Sequence, residues 1–306
     1  MRADDLLGHR GAAPEPASPS SSARFPDGAD FRIEIPSVEG PAVLAAVVRE
    51  AAQRGVVVNR VSQGSGAMVL SEAELREMAV IGRDAGLEIS LFVGPREEWG
   101  LGAQSRAGDG ATMNGSVRGI RQMRYAVEDV LRAIDCGIRG FLVADLGLQR
   151  VLSDAQKNGE IPAEVVWKMS AVVAPSNPVT LALIAELGAS TVNLPSDLTL
   201  GELAEMRAVT DLPLDLYVEA PDAMGGVVRG EQLADLVAVS APLYAKFGLR
   251  NSKPLYPAGL HLEADAILIA REKVHRAQVA LEWMVRAGSV AKQSGAGAAG
   301  LGIPAP

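Results

Sequence analysis

Four ionisable residues of this chain lie in short, largely apolar segments in which a charge is expected to be enclosed. They are Glu34, Lys168, Glu219 and Lys246. Burying a charge is costly unless an opposite charge lies beside it. We therefore expect two carboxylates and two amines to form a net-neutral cluster, in which one group is shifted towards neutrality for proton transfer. The alternative is a set of purely structural ion pairs.

One of these segments contributes two candidates. Apolar and polar residues alternate from Leu214 to Glu219, which is typical of a strand with one apolar face and one polar face. We predict that Tyr217 and Glu219 project from the polar face as catalytic groups. With Glu34, Lys168 and Lys246 they form the predicted catalytic set.

Two further chemistries remain open. A desolvated Lys168 could attack a substrate carbonyl and form a Schiff base. Alternatively, Asp145, Glu219 and Asp222 supply oxygen ligands, whereas the three histidines fall outside the predicted strand ends. Carboxylates without histidine favour Mg²⁺ or Mn²⁺ over Zn²⁺.

Substrate contacts are predicted from strand ends and loops. Gly225 and Gly226 are candidates for a phosphate site, completed by Arg250 after the last strand; a tight turn is the alternative. A glycine-rich loop over residues 94–116 has the length of a lid or binding loop and carries Arg96. The remaining predicted contacts are Ser170 and Asn193, at the ends of two strands.

These residues need a framework in which strand ends converge. Segments with strand patterns alternate with helical segments. The eight predicted strands are Phe31–Pro36, Val56–Val61, Leu87–Val93, Gly140–Ala144, Val165–Val172, Ser190–Leu194, Pro213–Glu219 and Leu243–Phe247. Eight such units predict an α/β fold, a single (β/α)8 TIM barrel, with its site at the C-terminal ends of the strands. A doubly wound sheet is the rival, but the Gly-x-Gly-x-x-Gly turn of that fold is missing after the first strand.

Composition divides the chain into three parts. Residues 1–29 and 291–306 are rich in Pro, Gly, Ala and Ser, and we expect both to be disordered tails. Residues 30–290 form the predicted barrel domain. An apolar outer surface would also permit a homodimer.

Charge and cysteine content exclude several functions. A net charge of −8 argues against a nucleic-acid partner. No apolar run reaches the roughly 18 residues of a membrane helix, and the N-terminus lacks the apolar core of a secretory signal, so we expect a cytoplasmic protein without a membrane partner. The single cysteine, Cys136, excludes a disulfide framework and an iron–sulfur cluster held by cysteines.

Several short motifs resemble peptidase family U32. They are Arg32–Pro36, Lys168–Ser170, Tyr217–Pro221 with Gly225-Gly226, and Tyr244–Lys246. The resemblance implies a TIM barrel and a hydrolase. This chain departs from the cysteine-rich signature of the family, and from relatives that hold an iron–sulfur cluster through four cysteines, because it has only Cys136.

The favoured hypothesis is an enzyme that acts on a small-molecule substrate, a carboxylate or a phosphate, by acid–base chemistry of the lyase, aldolase or isomerase type, with assistance by Mg²⁺ left open. A U32-like hydrolase is the second hypothesis. A non-catalytic accessory or scaffold barrel is the third, and an interior filled by side chains would favour it.

Overall fold

A closed barrel of eight parallel strands forms the centre of the molecule. The computed structural model describes residues 19–96, 99 and 115–306. The strands are β1 Phe31–Pro36, β2 Arg60–Gln63, β3 Glu88–Phe92, β4 Gly140–Val143, β5 Val166–Met169, β6 Thr191–Asn193, β7 Leu214–Glu219 and β8 Leu243–Phe247. Each strand pairs with the next in chain order, and β8 pairs with β1. The predicted TIM barrel is confirmed.

A helix follows each strand and covers the outside of the barrel. The helices are α1 Pro41–Arg54, α2 Glu72–Ala85, α3 Gly119–Asp135, α4 Leu146–Lys157, α5 Pro178–Glu186, α6 Leu200–Arg207, α7 Leu233–Ser240 and α8 Glu263–Arg286. Local sequence starts several of them: Ser71 with Glu74, and Thr199 with Glu202, form capping boxes. In the described part of the chain, no helix is long and apolar enough to cross a membrane.

The apolar core lies between the sheet and the helices. Ile33, Trp167 and Leu216 point outward from their strands and are fully buried against this helical layer. Alternation then directs the polar neighbours of these residues into the barrel. The interior is therefore lined by charged and polar side chains.

Strand β2 differs from its prediction. It pairs from Arg60 onward, four residues later than the predicted start at Val56, because the preceding valines do not join the ladder. The register places Arg60 beside Glu34 on one side and Glu88 on the other. Both faces of this segment carry polar residues, Asn59 and Gln63 on one and Arg60 and Ser62 on the other, so only strand pairing decides that Arg60 and Ser62 face inward.

The C-terminal segment is not the disordered tail that we expected for residues 291–306. It closes the N-terminal end of the barrel, where Ser294 Oγ accepts a hydrogen bond from Arg32 Nε at 3.0 Å. Asn59 Nδ2 donates to the Ser294 carbonyl at 3.1 Å, and Gly302 N donates to Glu88 Oε2 at 2.9 Å. Composition did not predict this because most of the contacts use backbone groups of the segment, and its small residues let that backbone approach buried polar side chains closely.

The predicted N-terminal tail, residues 1–29, is corrected in part. Residues 1–18 lie outside the described residues. In the remainder, Phe25 is buried; its ring lies 5.2 Å from the Tyr244 ring and 4.0 Å from the Arg32 guanidinium carbon. Ser21 adds a backbone hydrogen bond to the Ala238 carbonyl at 2.7 Å, so an aromatic anchor and polar contacts together dock this segment.

Deleting residues 293–306 is expected to lower the free energy of unfolding by at least about 3 kcal/mol, because each buried polar group left unpaired costs about 1–3 kcal/mol. Ser294→Ala removes one acceptor and should cost about 1–2 kcal/mol. Urea unfolding measures both, with Lys292→Ala, at an exposed side chain, as the control. A truncated chain as stable as the full one would contradict the sealing role.

Candidate active site

The carboxylate of Glu34 is the centre of a charge network inside the barrel. Lys168 Nζ donates to both of its oxygens, and Ser62 Oγ donates to Oε1 at 2.7 Å. Lys246 Nζ lies 3.5 Å from Oε1, and Arg60 Nη1 lies 3.4 Å from Oε2. Glu34 and Lys168 have no exposed surface, so solvent does not weaken their attraction.

Arg60 connects this centre to two further carboxylates. Its guanidinium forms ion pairs with Glu88 at 2.6 Å and with Asp215 at 3.0 Å, and it stacks on the Tyr244 ring at 3.4 Å. The network therefore contains three carboxylates and three cations. Those six residues are Glu34, Glu88, Asp215, Arg60, Lys168 and Lys246.

The pKa values of the two lysines of the network are shifted in opposite directions. Burial, with repulsion from Lys246, outweighs the attraction of Glu34 and lowers the pKa of Lys168 to about 7. Burial alone would lower the pKa of Lys246, but the charges of Glu34, Tyr217 and Asp215 outweigh burial and raise it. Burial alone would raise the pKa of Glu34, but the neighbouring cations hold it well below its ordinary range.

Lys246 is the member of the network that lies nearest the mouth of the barrel. Its Nζ donates to Asn193 Oδ1 at 2.5 Å and lies 4.3 Å from the centroid of the Tyr217 ring. Asn193 is itself oriented by donation to the Met169 carbonyl at 2.9 Å. Tyr217 is partly exposed, so Lys246 lies directly beneath a residue that meets solvent.

Glu219 does not join the network, although we predicted it there. The register of β7 against β8 shifts between Tyr217 and Glu219, and this bulge breaks the alternation. Glu219 Oε1 instead accepts from the backbone N–H of Arg250 at 3.0 Å, and Oε2 lies 3.6 Å from Arg276 Nε. The carboxylate therefore holds the loop that follows β8.

The predicted metal ligands Asp145, Glu219 and Asp222 are not brought together. Asp145 caps α4 by accepting from Leu148 N at 2.9 Å, and Asp222 accepts from Asn251 N at 2.6 Å. Nowhere in residues 19–96, 99 and 115–306 do three His, Cys, Asp or Glu side chains form a group that could hold a metal ion. Each carboxylate has a backbone partner because strand ends lead into loops whose N–H groups need acceptors.

Three predicted substrate contacts have structural partners. Gly225 and Gly226 adopt φ angles of +95° and +63°, and their N–H groups close a tight turn on Asp222 and Pro221. Ser170 caps a short 3-10 turn after β5. These three residues therefore shape their loops. For the two glycines, this agrees with the tight turn that was the alternative to a phosphate site.

The two predicted arginines lie at different places on the rim. Arg96 stacks on Phe92 at 3.6 Å and on Trp99 at 4.2 Å, and it donates to the Gly64 carbonyl. The Arg250 side chain is exposed, with Nε 3.8 Å from Asp222 Oδ1. Most of the glycine-rich loop, residues 97, 98 and 100–114, lies outside the described residues.

Sequence reasoning missed Lys273, on the outer helix α8. This side chain is buried and donates to the carbonyl of Pro36, at the end of β1, at 2.8 Å. Burial lowers its pKa to about 7, against the attraction of Glu39. A lysine within a stripe of buried alanines, such as Ala270 and Ala277, is the signal that could have identified it.

The lowered pKa of Lys168 predicts a pH-dependent stability. Between about 7 and the unfolded value of about 10.4, the unfolded chain binds more protons. The free energy of unfolding should therefore rise with pH over this range, by up to about 1.4 kcal/mol per pH unit from this residue. Urea titrations from about pH 7 to 9.5 should give a smaller slope for Lys168→Met. The slope should stay unchanged for Lys157→Met, at an exposed lysine; equal slopes for the wild type and Lys168→Met would contradict the shift.

Comparisons with known proteins relate this chain to one family. The model of Peptidase family U32 matches residues 111–221, just over a third of the chain, including Lys168, Asn193 and Tyr217. No curated protein matches the sequence. The structure of the U32 peptidase Mk0906 is similar at 16% identity, covering 69% of this chain and 74% of that one, with a TM-score of 0.41.

A Rubisco-like protein from Rhodopseudomonas palustris is similar at 12% identity, covering 90% of this chain and 77% of that one, with a TM-score of 0.47. Neither structure defines a reaction for this barrel. The chain is thus a closed eight-stranded TIM barrel in which residues 111–221 match Peptidase family U32.

Proposed function

We propose that this barrel is an enzyme that moves protons on a small anionic substrate, a carboxylate or a phosphate, at the mouth of the barrel. One observation carries the proposal: two buried amines, Lys168 and Lys246, meet at the carboxylate of Glu34, and their pKa values are shifted in opposite directions. Such divergence between neighbouring groups is the arrangement that supplies an acid and a base at one pH. Lyase, aldolase and isomerase reactions use such transfers.

Lys246 is the group that would meet the substrate. Its amine stays protonated, so it binds an anionic oxygen and can donate a proton to it. Asn193 and the Tyr217 ring hold the amine in position, at 2.5 Å and 4.3 Å respectively.

Lys168 would act from beneath. Its pKa of about 7 makes it a base near neutral pH, and it shares the carboxylate of Glu34 with Lys246, whose Nζ lies 3.5 Å from Glu34 Oε1. Proton transfer suits the pair better than Schiff-base formation, because Lys246 is charged and Lys168 is enclosed. The proposal assigns no role to Mg²⁺ or Mn²⁺, since the predicted carboxylate ligands hold backbone amides instead.

Peptide hydrolysis is the second candidate. The family match over residues 111–221 favours it and includes the strands that carry Lys168 and Tyr217. In such a reaction, Lys246 would bind the carbonyl oxygen or terminal carboxylate of a peptide. An accessory role is the third candidate, favoured by the complete burial of Glu34 and Lys168 in a filled interior.

Lys246→Met is expected to weaken the binding of small carboxylates or inorganic phosphate at least tenfold, because a hydrogen bond to a charged group contributes about 1.5–3 kcal/mol. A thermal-shift titration measures this, since a ligand that binds only the folded chain raises its melting temperature. Lys292→Met, at an exposed lysine, should bind like the wild type. If no anion in the screen stabilises the wild type, or if Lys246→Met binds equally well, the proposed site is wrong.

The reaction classes separate by turnover. With a carboxylate or phosphate that binds, Lys168→Met should keep binding and lose about 10²–10⁴ in rate, the usual contribution of an acid–base group. A parallel assay with a fluorogenic peptide library tests hydrolysis. Cleavage abolished by Lys246→Met would favour the second candidate, and absence of both activities in a folded wild type would favour the accessory role.

A further inference from the structure

The loop between β8 and α8 crosses the mouth of the barrel from the β7 side to the β2 side. We call residues 249–259 the strap. Its near end is held by two carboxylates of the β7 loop: Arg250 N donates to Glu219 at 3.0 Å, and Asn251 N donates to Asp222 at 2.6 Å. Asn251 has a φ of 54°, in the left-handed region, so these bonds hold a strained turn.

The far end of the strap is held by the loops after β1 and β2. The hydroxyls of Tyr256 and Ser37 lie 2.6 Å apart, and Ala258 N donates to Ser65 Oγ at 2.8 Å. Glu39 fixes the receiving loop by accepting from the N–H groups of Gly64 and Ser65, at 2.9 and 3.0 Å. The loops after β1 and β2 are thus held in place by their own hydrogen bonds, whereas the strap itself contributes few apolar contacts.

Gly64 forms the floor of a slot that receives the end of the Tyr256 ring. A Cβ atom at this position would lie 2.3 Å from Tyr256 Cζ and 2.5 Å from the hydroxyl oxygen. The backbone of Gly64 is not in the left-handed region, so glycine is needed here for the ring rather than for its backbone conformation. Tyr256 is 48% exposed, which leaves one side of the residue facing solvent while its hydroxyl end is inserted.

Tyr256 lies outside the proposed binding groups. Burial of its hydroxyl, together with the nearby Glu39 and Tyr217, raises the pKa of Tyr256 well above its ordinary value. Tyr217 in turn lies over the amine of Lys246, which is only 3% exposed. The anchors of the strap, on the β7 side and on the loops after β1 and β2, lie on either side of the ends of β8 and β1, the strands that carry Lys246 and Glu34.

We propose that the strap is a gate and that anions reach Lys246 only when Tyr256 leaves the Gly64 slot. The inference deepens the proposed function, because it rests on Lys246 being the group that meets the ligand. Segments with few buried apolar contacts open at low cost, and here the exposed Lys253–Asp265 pair and single hydrogen bonds hold most of the strap. Only Leu255 adds a buried apolar side chain among the described residues of the strap.

Lysine acetylation read by mass spectrometry tests the gate without any substrate. Gly64→Ala should expel the ring and raise the acetylation rate of Lys246 at least tenfold, and Tyr256→Ala should do the same. The variant that combines both substitutions should label no faster than either single variant, because the methyl group added at position 64 then meets no ring. Gly40→Ala is the matched control, since a Cβ at this extended loop glycine meets nothing within 4 Å.

Two other lysines report on the whole fold in the same experiment. Lys157 is exposed and should label equally in every variant, and Lys168 is enclosed and should stay protected. If Lys246 is acetylated at the wild-type rate in both Gly64→Ala and Tyr256→Ala, the gate is wrong. It is also wrong if the acetylation rate of Lys168 rises in parallel, because that indicates opening of the whole barrel. Acetylation measures access to Lys246 and does not measure anion binding or turnover. The gate can therefore be refuted while anion binding by Lys246 is confirmed, and anion binding can be refuted while the gate is confirmed.

Discussion

The buried carboxylate of Glu34, held between Lys168, Lys246 and Arg60, is the constraint on which the rest of the barrel depends. A charge with no exposed surface is tolerated only where opposite charges and hydrogen bonds replace water. Three carboxylates and three basic side chains supply the opposite charges for one another. Removing one partner leaves an uncompensated buried charge, which typically costs about 3–5 kcal/mol.

The same constraint shapes both ends of the barrel. At the N-terminal end, Arg32 and Glu88 need partners, and the C-terminal segment supplies them through Ser294 and Gly302. At the C-terminal end the network terminates in Lys246, which is the point where it comes closest to solvent. Chemistry at the mouth is therefore proposed for Lys246, with the enclosed Glu34 and Lys168 setting its proton affinity from below.

Part of this arrangement follows from alternation along the strands. Apolar and polar residues alternate along β1, β5, β7 and β8. This alternation predicts that Glu34, Lys168, Asp215 and Lys246 face inward, and all four do. Arg60 was ambiguous because both parities of its segment contain polar residues, and pairing with β1 decides between them. Glu219 was misplaced because a bulge after Tyr217 depends on the fit between β7 and β8, which no local pattern encodes.

The sequence by itself determined the barrel, the number of its units and the inward direction of most of its charges, because helix caps and strand periodicity are local properties. Tertiary structure alone decided which charges meet, since Arg60, Glu88 and Asp215 come from strands that are distant in sequence. It also decided that Glu219 and Asp222 accept hydrogen bonds from backbone amides of the loop after β8. Both outcomes have one physical reason: a buried polar group is satisfied by whatever the fold brings within hydrogen-bonding distance, and that distance is unrelated to separation along the chain.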